Sequence, residues 1–268
     1  VRPIFLYMLR KKYIHVSFSK HKKMHEKMMK SLEERFRKEG DISTKFYLSF
    51  LEDEPRPDAA VITALNDGAS RIIVSEVFLT ISNHTAEGKE LIEKINFEDY
   101  GVSIGYTGPL WDSKILQSMF VERVNKNLGK SDKKKVGVLL VGHGQPKEWD
   151  MEWPTETEHE IKFRKDVLEI FVKDGYDSKN LDLAWMEFRE PCTSEAIQKL
   201  IQNGVEKIFY FSAAISADSI HSMCDLPELV SKCEMPNCIE VINLGAWNDD
   251  PIVIDAIKEK IDRVKFAL

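Results

Sequence analysis

The sequence VGVLLVGHGQP, residues 136–146, holds an almost unbroken apolar run that Gly142, His143 and Gly144 end abruptly. Such a run, bounded by glycines, predicts a buried parallel strand that is covered on both faces. His143 then follows the C-terminal end of the strand, where open α/β sheets place their ligand crevices. The two glycines leave room for a ligand to approach the imidazole. The same pattern also fits a histidine in an ordinary strand-to-helix loop, so both interpretations stay open at this point.

Strands and helices alternate on both sides of this segment. The predicted strands of the first half are 13–18, 45–51, 71–79 and 102–106, and the predicted helices are 22–38, 57–67, 87–95 and 114–126. Further strands are expected near Val136, Leu181, Lys207 and Ile239. Regular alternation of this kind predicts an α/β protein whose parallel sheets carry helices on both faces.

The two halves of the chain resemble each other. LEDEP at 51–55 precedes a helix and the strand RIIVSEVFL, and MEFREP at 186–191 precedes a helix and the strand KIFYFSAAI. His84 and His221 each lie six residues after the matching strand positions Phe78 and Ile215. A duplicated α/β unit explains these matches. The polar segment GKSDKKK, residues 129–135, is the natural linker, so we expect domains at 1–130 and 131–268 with a cleft between them.

Composition restricts the class of protein. The chain has 268 residues, 43% hydrophobic and 31% charged, with a formal net charge of −6. This balance predicts a soluble globular protein, and neither a nucleic-acid partner nor a membrane span is expected. The cysteines form no CxxC pair, which favours the reduced thiols of a cytoplasmic protein over the alternative, a cluster site; they are Cys192, Cys224, Cys233 and Cys238.

Three polar residues of the second half follow successive predicted strands: His143, Glu187 and His221. Two imidazoles and a carboxylate are a suitable donor set for Fe²⁺, Co²⁺, Ni²⁺ or Zn²⁺. Each residue alone has an ordinary structural explanation, such as a helix cap for Glu187 or a solvated loop for His221. Their shared placement after strands favours a joint site.

The neighbours of these residues suggest supporting roles. Asp218 or Asp225 is a candidate to orient the His221 imidazole or to pass protons onward, whereas the alternative for Asp225 is a helix cap. The indoles of Trp149, Trp153 and Trp185 are candidates to line a flat apolar pocket, or else to fill the core.

Several motifs together resemble the class II tetrapyrrole chelatases, the family of ferrochelatases and of sirohydrochlorin cobalt and iron chelatases. They are HGQP at 143–146, WPTETE at 153–158, AW at 184–185 and SADSIHSMCDLPEL at 216–229. The resemblance covers nearly the whole chain and follows its internal repeat. It implies two flavodoxin-like, chelatase-like domains and a metal-inserting lyase that holds a tetrapyrrole between them.

The resemblance also implies roles for single residues. His143 matches the histidine of the family's HG motif, and His221 stands where cobaltochelatases carry histidine and ferrochelatases carry glutamate. Glu187 resembles the carboxylate that completes the metal site, with Glu190 as a rival because the distance from Glu187 to Pro191 is one residue too long. By this resemblance, His143, His221 and Glu187 would bind the metal ion and accept protons.

For the first half, the resemblance implies contacts to the macrocycle and not to the metal ion. Phe18 stands where His143 stands in the second half, and ferrochelatases have an aromatic residue there, so Phe18 is expected to touch the ring. His84 matches a histidine of the short cobaltochelatases and would line the opposite wall. The charged candidates for binding substrate carboxylates are Lys147, Arg164 and Arg189.

The function implied is insertion of Co²⁺ or Fe²⁺ into a sirohydrochlorin-type tetrapyrrole, in cobalamin or sirohaem biosynthesis. Two alternatives stay open: a ferrochelatase of haem biosynthesis that acts on a porphyrin, and a metal or tetrapyrrole carrier without turnover. The expected partners are the tetrapyrrole and the divalent metal, with no further cofactor, since no nucleotide-binding motif is present. A homo-oligomer is left open.

Overall fold

The computed structural model describes residue 7 and residues 20–152 and 154–267 of the chain. Helices and strands alternate along these residues. The helices are α1 (His21–Lys38), α2 (Pro57–Asn66), α3 (Asn83–Glu93), α4 (Lys114–Asn127), α5 (Pro154–Lys173), α6 (Thr193–Gln202), α7 (Leu226–Ser231) and α8 (Pro251–Ala267). The strands are β1 (Arg71–Val74), β2 (Ser103–Tyr106), β3 (Val136–Gly142), β4 (Leu181–Trp185), β5 (Lys207–Ser212) and β6 (Glu240–Asn243).

The second half contains a parallel sheet with the strand order β4-β3-β5-β6. Its register pairs Gly142 with Trp185 and Val141 with Ser212, so three strands end at one edge of the sheet. The polar residues that follow these strands therefore emerge side by side, as the sequence pattern predicts.

The apolar run of β3 forms the centre of the core. All seven of its residues are buried. Val138 and Leu140 belong to one hydrophobic cluster with residues of α4, α5 and α8, whereas Leu139 and Val141 belong to a second cluster with residues of α6. Since neighbouring strand residues point to opposite faces, both faces of the sheet are covered, which confirms the prediction of a doubly covered strand.

The first half shows two paired strands among the described residues, β1 and β2, which are parallel. The predicted strand at 45–51 is wrong, because these residues adopt irregular structure. A strand requires a hydrogen-bonded neighbour, and no strand among the described residues pairs with 45–51. The strand predicted at 13–18 lies outside the described residues.

The helix predicted at 87–95 begins earlier, at Asn83. The backbone N–H of Ser82 donates to the Thr85 hydroxyl at 2.8 Å, and such a local bond marks a helix start. The remaining predicted helices of the first half agree with the structure to within one residue.

The two halves share one hydrophobic core. Residues of α1 and α4 pack with residues of α8, for example Phe36, Phe120 and Ile257. Arg123 on α4 reaches the loop after β6, where its guanidinium donates to the carbonyl oxygens of Leu244, Ala246 and Trp247. The domain boundary between residues 130 and 131 stays a prediction.

Candidate metal centre

His143 stands directly after β3, where two chain segments approach closely. Its Nδ1 lies 2.8 Å from the carbonyl oxygen of Gly144. The next loop runs alongside, since the N–H of Glu187 donates to the carbonyl of His143 at 3.2 Å. Gly144 has a φ of +86°, and a Cβ there would lie 2.1 Å from the carbonyl oxygen of Glu187. The glycine is therefore required for Glu187 to lie beside His143.

His221 begins a π-helical turn, His221–Asp225, that leads into α7. π-Turns are uncommon and are concentrated at functional sites. The His221 and His143 ring centroids lie 4.8 Å apart, with an interplanar angle of 82°. The fold thus brings together two histidines that are separated by most of the second half.

Asp225 contacts the His221 ring, with its Oδ2 2.9 Å from Nδ1. The alternative role as a helix cap is wrong, because the Asp225 side chain makes no cap hydrogen bond to α7. Asp218 acts elsewhere: its Oδ1 accepts from the hydroxyl of Ser222 at 3.3 Å, and its backbone N–H donates to the Asn248 side chain at 2.9 Å. Asp225 is therefore the carboxylate that orients His221.

The protein keeps the His221 imidazole neutral. Burial and the nearby His143 lower the pKa of His221, while Asp225 and Glu187 act in the opposite direction. Neutral imidazole is the form that binds metal ions.

Glu187 and its rival Glu190 occupy different surroundings. Glu187 lines the same cavity as His221. Glu190 instead accepts from the backbone N–H of Cys192 at 2.9 Å and lies in an outer cluster with Cys192 and Glu195. Within the described part of the chain, this outer cluster is the one whose three ligand atoms all lie within 4.8 Å of one another. The set of His143, His221 and Glu187 is more open.

A buried ion pair, which the sequence pattern alone does not reveal, lies behind β3. Arg164 is fully buried and donates to the carbonyl oxygens of Leu140 and Ala184, and its Nη2 lies 3.5 Å from Glu160 Oε1. Burial raises the pKa of the Glu160 carboxyl. A Cβ on Gly142 would lie 1.9 Å from Glu160 Oε1, so the first glycine of the GHG motif makes room for this pair.

Arg164 is therefore unavailable to substrate carboxylates, which corrects that expectation. Arg189 is also engaged, since it forms an ion pair with Asp150 and is mostly buried. Lys147 is exposed at the start of a 3₁₀ turn and stays a candidate. The signal missed in the sequence was the spacing of Glu160 and Arg164, one helical turn apart on α5.

The aromatic candidates separate into two groups. Trp185 is 4% exposed, and the Arg164 guanidinium lies 4.0 Å from its ring centroid, so its surroundings favour packing over ligand contact. Trp149 is 46% exposed on the loop after His143. Phe18 and Trp153 lie outside the described residues.

A cavity of about 1580 Å³ extends between the halves. Its second-half wall includes Glu187, His221 and Asp225, and its first-half wall includes His84. Only part of this volume lies beside the metal-binding candidates, because the cavity also reaches β1. No helix in the described residues is both long and apolar enough to cross a membrane.

The fold and the site define an α/β protein that places two histidines and a glutamate at the carboxyl edge of a parallel sheet. Comparison with known proteins agrees with this class. The sequence model of the family described as Ferrochelatase matches residues 7–264, so the chain belongs to the ferrochelatase family.

A curated relative and two solved structures are similar to the chain. The relative is a sirohydrochlorin cobaltochelatase from Methanopyrus kandleri, 26% identical over 98 residues, which are 35% of this chain and 58% of that protein. SirB from Bacillus subtilis with Fe³⁺ has a TM-score of 0.66 at 17% identity, covering 92% of this chain and 91% of the other. The sirohydrochlorin chelatase SirB from Bacillus subtilis subspecies spizizenii in complex with cobalt has a TM-score of 0.63 at 15% identity, with the same coverage. These structures confirm the predicted chelatase-like α/β fold.

Proposed function

We propose that this protein inserts a divalent metal ion, Co²⁺ or Fe²⁺, into a sirohydrochlorin-type tetrapyrrole, as in cobalamin or sirohaem biosynthesis. The observation that carries the proposal is the pair of imidazoles, His143 and His221, with ring centroids 4.8 Å apart, at the point where the backbone N–H of Glu187 donates to the His143 carbonyl. Histidine at position 221 matches the cobaltochelatase pattern, and the similarity to a sirohydrochlorin cobaltochelatase supports the same substrate.

The hydrogen bonds of the two imidazoles set their roles. The Nδ1 of His143 donates to the Gly144 carbonyl, and the Nδ1 of His221 donates to Asp225. This assignment of the protons leaves the Nε2 lone pair of each ring for the metal ion. An open site of imidazoles and a carboxylate holds the ion less firmly than a thiolate cage, which suits an ion that must move on to ring nitrogens.

Insertion must also remove two protons. A free tetrapyrrole carries two pyrrole N–H groups, and both protons leave as M²⁺ binds the four nitrogens. We assign their removal to Glu187 and to one of the two histidines, because a histidine that has released the ion to the ring nitrogens has its Nε2 lone pair free again for a proton, and the Glu187 carboxylate can relay a proton to water. The net reaction releases two protons for each metal ion inserted.

The remaining assignments follow from the same reaction. Trp149 and His84 are proposed to contact the macrocycle, and Phe18 and Trp153 keep that role as sequence-based proposals. The burial of Trp185 beside Arg164 favours the alternative role in the core instead. The metal ion is substrate, and we propose no further cofactor. The four cysteines are not paired in disulfides within the described residues, which supports a reducing compartment such as the cytoplasm.

A second candidate is insertion of Fe²⁺ into a porphyrin, as in haem biosynthesis. The match to the family described as Ferrochelatase favours it. Incubation of the purified protein with either sirohydrochlorin or protoporphyrin, and with either Co²⁺ or Fe²⁺, separates the candidates by absorption spectroscopy.

We expect many equivalents of metallated sirohydrochlorin for each protein, formed faster than the reaction without protein. Preference for protoporphyrin would replace the proposal with the second candidate. A spectral change that stops at one equivalent without release of product would indicate a carrier and overturn both.

A further inference from the structure

A second pair of imidazoles faces the cavity from the first-half wall. His21 and His25 lie one turn apart on α1, and their ring centroids are 4.3 Å apart with an interplanar angle of 51°. Residues four positions apart share one helix face. Both side chains line the cavity that also reaches Glu187 and His221.

We propose that His21 and His25 form a second binding site for a divalent cation of the Co²⁺, Ni²⁺ and Zn²⁺ class, separate from the site of His143 and His221. Two histidines at i and i+4 on a helix are a spacing at which both imidazoles reach one such ion. Imidazole is a preferred ligand of these metals.

The contacts of His25 direct one nitrogen toward the site. Its Nδ1 lies 3.0 Å from the carbonyl oxygen of His21, which assigns the ring N–H to that nitrogen. Its Nε2 then carries the lone pair and lies 3.3 Å from the hydroxyl of Ser216, a long hydrogen bond. A cation bound at Nε2 would replace this hydroxyl as the partner of the lone pair.

The surroundings keep both rings in the metal-binding form. Burial lowers the pKa of His21, and burial together with the nearby His21 lowers the pKa of His25 to about 4. Both imidazoles are therefore neutral at neutral pH. Asp53 also lines this cavity and pairs with Lys22 at 3.2 Å, so the lysine beside the histidines has a neutralising partner.

The second site contacts the segment that leads to His221 and shares a cavity with that residue. Ser216, the partner of His25, belongs to the segment that joins β5 to the turn of His221. An ion held at His21 and His25 is thus placed to be passed to His143 and His221. This loading role rests on the proposed function, whereas binding of the ion does not.

Titration of the full chain with Co²⁺ alone, without tetrapyrrole, tests the second site. Calorimetry gives the number of equivalents, and the visible d–d spectrum reports the ligands. We expect two equivalents for the unaltered protein. His21→Ala should weaken one of them by about tenfold or more, and His143→Ala should weaken the other.

Controls separate the sites from each other and from the rest of the chain. His25→Gln repeats the test at the second ligand, with thermal unfolding of the metal-free variant to show that it folds. His159→Ala removes an imidazole that stacks on Trp111 and should leave both equivalents intact. Cys192→Ser tests the outer cluster with Glu190 and Glu195.

The proposal is overturned if His21→Ala leaves both equivalents unchanged, or if the second equivalent is lost in Cys192→Ser instead. Because the readout is metal binding, a protein that binds two ions and inserts neither would refute the proposed function and leave the second site intact.

Discussion

At the residue scale, the proposed centre depends on which ring nitrogen each histidine exposes. A carbonyl oxygen holds the Nδ1–H of His143, whereas a carboxylate holds that of His221. These partners differ in charge, so the two rings are not equivalent. The negative charge of Asp225 favours the protonated form of His221 and offsets part of the effect of burial on its pKa.

The Asp225→Asn variant tests whether the charge of Asp225 acts on His221, because the amide keeps an oxygen acceptor for the Nδ1–H and removes the negative charge. The lowered pKa of His221 places the acid limb of Co²⁺ binding below pH 6.5, where protons begin to compete with the ion. Without the charge of Asp225 the pKa falls further, so the limb should move to lower pH. At pH 8, affinity should fall about tenfold through the lost support of the ring.

Calorimetric titration with Co²⁺ between pH 5 and pH 8 measures both effects. Glu228→Gln is the matched control, since this carboxylate on the same segment pairs with Lys232 at 2.8 Å. An acid limb that stays in place in Asp225→Asn would show that the charge of Asp225 does not act on His221.

At the element scale, strand β3 combines an apolar run with Gly142, whose missing side chain leaves room for the buried ion pair of Glu160 and Arg164. The sequence predicts the burial of this strand, because an unbroken apolar run is the signature of a doubly covered parallel strand. The spacing of Glu160 and Arg164 is compatible with an ion pair on one helix, but it does not show that α5 packs over the end of β3 and buries this pair against Gly142. Local pattern reports which residues can pair, whereas packing between elements decides which pairs are buried.

Gly142→Ala should destabilise the protein by about 1–3 kcal/mol, because a Cβ would lie 1.9 Å from a buried carboxylate oxygen. Gly137→Ala in the same strand is the control: its Cβ would meet three apolar side chains at 3.3–3.5 Å, and the change should cost less than about 1 kcal/mol. Urea unfolding of both variants measures the difference. Equal stability of the two would show that the Glu160 side chain moves aside freely.

At the scale of the whole molecule, the first half holds the loop that supports the second-half site. Arg123 on α4 binds three carbonyl oxygens after β6, and its Nη2 lies 3.0 Å from Asp250. That loop in turn contacts the segment before His221, since the N–H of Trp247 donates to Ile215 at 3.1 Å. The repeat in the sequence predicts two similar units, but it does not predict the hydrogen bonds and the ion pair by which Arg123 connects them.

Arg123→Ala should lower the free energy of unfolding by about 3 kcal/mol, because it leaves a carboxylate and three carbonyl oxygens without their donor. We expect weaker Co²⁺ binding at the His221 site as well. Arg263→Ala is the control: Arg263 is an exposed arginine paired with Glu259, and its removal should change stability by less than about 0.5 kcal/mol. A stable Arg123→Ala variant with full metal affinity would refute the support role.

The sequence predicts the α/β class and the central strand from local patterns, and it predicts that His143, Glu187 and His221 lie at one edge of the sheet because each follows a parallel strand. Two features need the assembled structure: the irregular path of residues 45–51 and the facing of His25 toward Ser216. The contact of His25 joins residues far apart in the chain, which local periodicity does not report, whereas the start of α3 depends on the local bond between Ser82 and Thr85.

The initial rate of Co²⁺ insertion into sirohydrochlorin, compared among the unaltered protein, His143→Ala and His159→Ala, tests the central claim most directly. Loss of a metal ligand and proton acceptor should reduce the rate of His143→Ala by at least about 100-fold, whereas His159→Ala, whose imidazole stacks on Trp111, should retain it. Insertion by His143→Ala at the rate of the unaltered protein would contradict the assignment of the metal centre.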